Sequence, residues 1–287
     1  MLSWEQSVEW LRSSVEPQHK ALVKACYFDD PLDEALNRYF NSLEWSLLSN
    51  MLPDSKGVAL DVGAGRGICS YALAKSGWAV FSLEPDPSTL VGSGAINFIK
   101  NEFSLDISVL PDYSESVSLP DSSLDLVFCR QALHHSNNLF DALTEFYRLL
   151  KPGGFLIAAR EHVISSPQDL QQFLDRHPLH YLYGGENAYT LKTYKSAFLN
   201  AGFKSLKLFP PYSTPINYFP TEESTINEAL LLPFQKILGK RLPRKLFLSS
   251  NPLSSRLNTL LRSVANQFIH TPGRLYTFTA VKPFAQS

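Results

Sequence analysis

Residues 58–67 read VALDVGAGRG. Four of the first five side chains are apolar, the composition of a short strand buried on both faces. Glycine then takes every second position, at 63, 65 and 67, where such a strand would end. A strand, a glycine turn and a helix start together make a ligand cradle at the carboxyl edge of a parallel sheet. The dinucleotide version, G-x-G-x-x-G, needs a glycine where Ile68 stands, so this cradle is of another kind.

Working outward, the chain alternates strand and helix. GVALDVG is followed by the helical ICSYALAKSG, which Gly77 ends, and by a second strand, WAVFSLE. PSTLVGSGAINFIKNE reads as a helix weakened by Gly92 and Gly94. LDISVLP and SLDLVFCR are the third and fourth strands, and LFDALTEFYRLL has the spacing of an amphipathic helix. Lys151, Pro152, Gly153 and Gly154 stop that helix, and FLIAAREH is the fifth strand. Apolar strands separated by helices predict a parallel sheet covered on both faces. The helix LKTYKSAFLNAGF, the strand KSLKLFP and a closing strand RLYTFTAVKP complete the α/β fold: a doubly wound, Rossmann-like sheet of seven strands, the last antiparallel. Residues 1–50 read as a helical cap, with one helical stretch from Pro31 to Met51. Residues 51–210 form the core, 211–272 a helical insertion broken by prolines, and 273–287 the final strand.

The carboxylates flanking the turn say what it holds. Asp61, two residues before Gly63, would repel a pyrophosphate and attract an ammonium. Glu84 ends the second strand 21 residues after Gly63, the spacing of an acid that hydrogen-bonds ribose hydroxyls. A ribose and an amino-acid cation without a diphosphate point to S-adenosylmethionine.

The strings LDVGAGRG, LPDSSLDLV, LHH and LLKPGG stand at residues 60–67, 119–127, 133–135 and 149–154. With them the sequence resembles the class I S-adenosylmethionine-dependent methyltransferases over roughly residues 50–162, and more loosely over YTLKTYKSAFLNAGF and the last two strands. The resemblance implies a methyltransferase whose turn residues Gly63, Ala64, Gly65 and Gly67 lie under the methionine part of the cofactor. It implies that Glu84, followed by Pro85, holds the ribose and that Asp61 lies near the amino group. For adenine it implies an acid after strand three; Asp112 is the first choice, with Ser114 and Glu115 competing. Cys129, Arg130 and Gln131, ending strand four, should line the methyl-donor end.

Methyl transfer is an in-line displacement, so positioning supplies most of the rate and an oxygen or nitrogen acceptor can use a histidine base. Acceptor groups must lie beyond strands four and five. Residues 162–190, rich in histidine and tyrosine, form a long loop of the kind that carries function. His162 and His180 are the base candidates, and Arg160 and Tyr183 the substrate contacts. His134 and His135 are read as packing residues of the LHH string. Adjacent positions on a helix start point apart, so no metal site is expected.

Composition narrows the classes. Hydrophobic residues make up 44% and charged residues 18%, as in ordinary globular proteins, and no run of about 18 apolar residues marks a membrane span. Residues 1–17 carry Glu5, Glu9 and Arg12 and do not read as a signal peptide. Cys26, Cys69 and Cys129 are unpaired in spacing, which predicts reduced thiols in the cytoplasm. The net charge of −1 hides a division: residues 229–287 contain nine Lys or Arg and no acid, leaving 17 basic and 27 acidic residues in 1–228. Within residues 229–250, Leu, Ile and Phe alternate with Lys236, Lys240, Arg241, Arg244 and Lys245, a pattern suited to an anionic membrane surface or a lipid-linked acidic substrate. Nucleic acid ranks below these because no RNA-binding motif accompanies the charge. The expected activity is transfer of a methyl group to an oxygen, ahead of nitrogen or carbon, of a small or lipid-linked acceptor. The alternatives are a non-catalytic S-adenosylmethionine-binding protein and a membrane-peripheral adaptor using the basic insertion.

Overall fold

The computed structural model describes residues 1–284. Four helices come first, α1 (Trp4–Ser13), α2 (Pro17–Ala25), α3 (Leu32–Phe40) and α4 (Leu43–Ser49). The core follows as β1 (Val58–Val62), α5 (Ile68–Lys75), β2 (Ala79–Leu83), α6 (Ser93–Glu102), β3 (Ile107–Leu110), β4 (Leu124–Arg130), α7 (Leu139–Leu149) and β5 (Leu150–Ile164). Then come α8 (Asp169–Arg176), α9 (His180–Tyr183), β6 (Tyr189–Thr190), α10 (Leu191–Asn200) and β7 (Lys204–Phe209). The chain closes through α11 (Pro215–Tyr218), α12 (Glu223–Leu238), α13 (Arg241–Leu248), α14 (Pro252–Phe268) and β8 (Arg274–Val281).

The strands lie in the order β3-β2-β1-β4-β5-β8-β7. The first five are parallel, and β8 runs antiparallel to both β5 and β7. These are the seven expected strands; the two-residue β6 beside β5 is an addition. The order reverses between β1 and β4, which opens a crevice at their carboxyl ends, the usual ligand position in such sheets.

Period-two alternation along β4 supplies two cores. Leu126 and Phe128 meet α3, α4, α5 and α6 through Tyr39, Trp45, Tyr71 and Ile96, whereas Val127 and Cys129 meet α7 and α10 through Phe146 and Phe198. The apolar face of α7 (Leu139, Ala142, Leu143, Phe146, Leu149) is buried at helical spacing, and Asn138 caps its start by accepting from the Phe140 and Asp141 amides.

Local chemistry departs from the sequence reading in three places. The stretch from Pro31 to Met51 is two helices, because Ser42 turns the chain and caps α4 by accepting from Trp45 N at 3.0 Å. Residues 87–92 are not helical; α6 starts only after Gly92, where a Cβ would lie 2.2 Å from the Asp86 carbonyl oxygen. β5 starts at Leu150, so the KPGG turn is strand, and it runs through Arg160-Glu161-His162. One extra residue in β5 between the pairs Ala158–Phe278 and Glu161–Tyr276 makes a bulge, with Arg160 at φ +60°.

Among the described residues no helix is long and apolar enough to cross a membrane.

Candidate functional site

At the turn after β1, Gly65 has φ +54°, and a Cβ there would meet only the Val91 carbonyl oxygen, at 3.7 Å. Its neighbourhood is open space. Gly67, at φ +83°, is different: a Cβ would lie 2.9 Å from Ile99 Cδ1 and 3.2 Å from Ile96 Cγ1, so this glycine serves the packing of α6 on α5. Gly63 lets the β1 turn press against the β4 turn, its Cβ position being 2.8 Å from Ala132 Cβ.

The carboxylates are fixed by this backbone. Glu84 accepts from Gly65 N at 2.7 Å and from Asp86 N at 2.9 Å, one bond to each oxygen. Each oxygen keeps acceptor capacity for a hydroxyl. Burial raises the Glu84 pKa in spite of these bonds. Asp61 is buried on β1 and accepts from Ser70 Oγ at 2.6 Å. Burial, opposed by the Ser70 bond and aided by the Glu84 charge, pushes its pKa up to about 7.

Both acids face a cavity of about 510 Å³. Asp61, Gly63, Ala64, Gly65, Glu84, Pro85, Asp112, Ser114, Arg130 and Gln131 line it, as do His162 and Tyr183. The volume suits a nucleoside-sized ligand. The open position beside Gly65 and the free acceptor capacity of two buried carboxylates fit the ribose and ammonium of S-adenosylmethionine. Asp112 accepts from Ser118 N at 2.7 Å, while Ser114 Oγ donates to Glu115 at 2.9 Å; all three border the same wall.

Four expected site residues lie off the cavity. Gly67 packs on α6, as described. The Cys129 side chain points into the core beneath the sheet. Arg160 donates to the carbonyls of Ile216 at 2.6 Å and Phe219 at 2.7 Å, which fastens α11 to β5. His180, on α9, is absent from the cavity wall. Residues 211–272 contribute no lining side chain either.

Residues 1–50 and 162–190 do roof the cavity. Trp4 packs on Tyr183 at 4.7 Å and on Phe28 at 5.8 Å between ring centroids, and Leu2 N donates to Leu182 O at 2.9 Å. The cap is anchored to β4 by Glu44, which accepts from Arg130 Nε at 2.5 Å and Nη2 at 3.0 Å. Burial would raise the Glu44 pKa, but Arg130 and Arg160 beside it hold the carboxyl below its usual range.

Beyond the methyl-donor end the wall is imidazole and carboxylate. Buried Glu161 accepts from the amides of Ala132 (3.3 Å), Leu133 (3.2 Å) and His134 (3.0 Å) and is 2.6 Å from His134 Nδ1. Burial alone would lower the His134 pKa, but Glu161, with Glu186 beyond, pushes it to about 9. His162 Nδ1 lies 2.8 Å from the Gly273 carbonyl oxygen. Burial and the neighbouring His134 lower the His162 pKa to about 3. His134 and His135 do not diverge as expected: on a three-residue 3-10 turn their rings lie 4.2 Å apart, with both Nε2 atoms directed at Glu186.

Sequence reasoning passed over Glu44 and Glu161. Each carried a signal: Glu44 is an acid on the apolar face of its helix, between Phe40 and Leu48, and Glu161 interrupts a buried strand.

Residues 60–158 match the family model described as "Methyltransferase domain". Residues 60–158 are therefore a methyltransferase domain, on the fold that S-adenosylmethionine-dependent methyltransferases share. The domain is 32% identical over 100 residues to the malonyl-[acyl-carrier protein] O-methyltransferase of Yersinia pestis, covering 35% of each chain. It is 29% identical over 143 residues to the tRNA U34 carboxymethyltransferase of Helicobacter pylori, covering 45% of this chain and 50% of that one. Thus the chain spans about a third to a half of the curated relatives it matches. In fold, the methyltransferase domain is similar to phosphoethanolamine N-methyltransferase 2 of Haemonchus contortus in complex with phosphomonomethylethanolamine and S-adenosylhomocysteine. That match has a TM-score of 0.53 at 20% identity and covers 84% of this chain and 52% of that one.

Proposed function

We propose that the protein is an S-adenosylmethionine-dependent methyltransferase acting on an oxygen of a small or lipid-linked acceptor. One observation carries the reading: a single cavity joins the glycine turn and its two carboxylates to a roof of imidazoles. When bound, S-adenosylmethionine supplies an electrophilic methyl group on a sulfonium sulfur. In this assignment Glu84 receives the ribose hydroxyls, Asp61 the ammonium, and Asp112, Ser114 or Glu115 the adenine edge. The cap and residues 162–190 exclude water and hold the acceptor against the donor end, where orientation supplies most of the rate.

His162 is neutral at pH 7, and with Nδ1 committed to Gly273 its Nε2 is left to accept from an acceptor hydroxyl. This makes it the better placed of the two base candidates, since His180 is off the cavity wall. Tyr183, whose hydroxyl donates to Glu186, closes the same end. An oxygen acceptor ranks ahead of nitrogen because a hydroxyl gives up its proton to a neighbouring base, and the neutral His162 imidazole stands at this end of the cavity.

Incubating cell extracts with methyl-labelled cofactor and the purified protein, followed by mass spectrometry of labelled species, tests the reading. Label on a small or lipid-linked hydroxyl or carboxyl compound is expected. Label confined to RNA contradicts the acceptor class, and no label from a protein that binds the cofactor contradicts the reading in favour of the non-catalytic alternative.

The basic insertion supports a second reading, peripheral contact with an anionic membrane. Ile237 is 82% exposed, and Leu238, Leu242 and Leu246 are also exposed among Lys236, Lys240, Arg241 and Lys245. Such a surface joins apolar insertion to charge attraction of about 1 kcal/mol per cation.

A further inference from the structure

The imidazole roof has a geometry that hydrogen bonding leaves unfinished. Among the described residues, one group of side chains offers three ligand atoms all within 4.8 Å of one another: His134, His162 and Glu186. His134 Nε2 is 3.7 Å and His135 Nε2 is 3.9 Å from Glu186 Oε2. These separations are too long for hydrogen bonds. Glu186 Oε2 is buried without any partner, on a side chain only 6% exposed. The His134 imidazole, its nearest cationic neighbour, stops 3.7 Å short of this oxygen, and an ion taking the place of its Nε2 proton would supply the missing contact.

The outer partners fix which nitrogen is available. The Gly273 carbonyl can only accept, so His162 Nδ1 carries hydrogen and Nε2 holds the lone pair. The Glu161 carboxylate likewise takes the Nδ1 hydrogen of His134, so an ion has only to displace the Nε2 proton that faces Glu186. His177 is the opposite case. Its Nδ1 accepts from Leu179 N at 3.4 Å, so its Nε2 hydrogen points at Glu186 Oε1, 3.5 Å away, and steadies that carboxylate. Ligand imidazoles backed by a carboxylate or a carbonyl are the usual outer arrangement of a metal centre. Two ligands sharing an ion at about 2.1 Å lie roughly 3–3.5 Å apart, so the observed gaps close with small side-chain rotations.

We propose that His134, His162 and Glu186 form a site for one divalent first-row transition-metal ion, with the open position turned into the cavity. Two imidazoles and a carboxylate favour zinc, and iron or manganese can also use this set. The open position takes an oxygen donor; in the loaded protein His162 Nε2 would be a ligand, and the ion, by lowering the pKa of a bound hydroxyl, would replace it as the group that favours loss of the acceptor proton. That the donor belongs to the methyl acceptor rests on the transferase reading above; the metal site itself does not.

Chelator-stripped full-length protein titrated with zinc chloride by calorimetry tests the proposal, with S-adenosylhomocysteine binding measured on the same samples. One zinc per chain is expected. Glu186→Gln and His162→Ala should each weaken zinc by more than about 100-fold, beyond the loss typical of an outer partner, while Glu161→Gln should cost about 10–100-fold. Cobalt substitution should give visible d–d bands, and X-ray absorption should place N or O ligands at about 2.0–2.1 Å. Protein that binds S-adenosylhomocysteine yet takes up no zinc would overturn the site and leave a protonated His134 between two carboxylates. Equal zinc binding by wild type and both ligand variants would overturn it too. Zinc bound as expected by protein that ignores S-adenosylhomocysteine would keep the site and remove the transferase reading.

Discussion

Asp61 is buried with a pKa near 7, so the ligand-free protein carries it half-protonated around neutrality. Its folded pKa lies above the ordinary carboxylate value, so its linked stability is fully present at low pH and is lost as pH rises through about 7. Binding has the opposite slope, because an ammonium ligand selects the ionised form. S-adenosylhomocysteine affinity should therefore fall as pH is lowered from about 8 to about 6, approaching tenfold per unit below the pKa. Calorimetry across that range should show the slope vanish in Asp61→Asn; an unchanged slope would place the ammonium elsewhere. Gly65 and Gly67 differ in a way that periodicity could not reveal, since both occupy the same alternating string. Gly67→Ala drives a Cβ into Ile99 at a left-handed φ and should cost about 1–3 kcal/mol in denaturant unfolding. Gly65→Arg bears the left-handed φ but meets open space, so it should lose less stability than a substitution at Gly67 while filling the cavity. The convergence of His134, His135, His162 and His177 on Glu186 was equally hidden. The turn with His134 and His135, strand β5 with His162 and the end of α8 with His177 are separate elements, and no sequence spacing records that they meet.

Element types were legible because hydrophobic period separates buried strands from amphipathic helices. Their ends were less so. Ser42 splits the Pro31–Met51 stretch by capping, a choice between local bonds that apolar spacing does not encode. The bulge that turns Arg160 toward α11 and Glu161 toward the β4 turn depends on register with β8, more than a hundred residues away. The α4 anchor also lies across the chain. Glu44 is fully buried and the Arg130 side chain is only 12% exposed, so Glu44→Ala leaves a largely buried guanidinium without its partner. The loss should be about 3–5 kcal/mol in chemical denaturation. A value under about 1 kcal/mol, typical of an exposed pair, would show that the cap is not held this way.

At the scale of the whole molecule, the division of charge read from the sequence separates two surfaces. The acidic part contains the cavity, and the basic helices α12–α14 stand apart from it, tied to α11 and the segment before it through Arg262, which donates to Tyr212 O at 3.1 Å and Tyr218 Oη at 3.2 Å. If the insertion serves a membrane, flotation with anionic liposomes should fall at least tenfold when Lys236, Lys240, Arg241 and Lys245 are changed to Glu, and cofactor affinity should hold. Flotation unchanged by these substitutions would assign the exposed leucines to another role. The central claim concerns the other surface, the crevice where strand order reverses between β1 and β4. Calorimetric titration of the full chain with S-adenosylmethionine tests it most directly. One site per chain is expected, lost in Gly65→Arg and weakened at least tenfold in Glu84→Ala; wild-type protein that gives no heat, or both variants binding as wild type does, would rule out the crevice as the cofactor site.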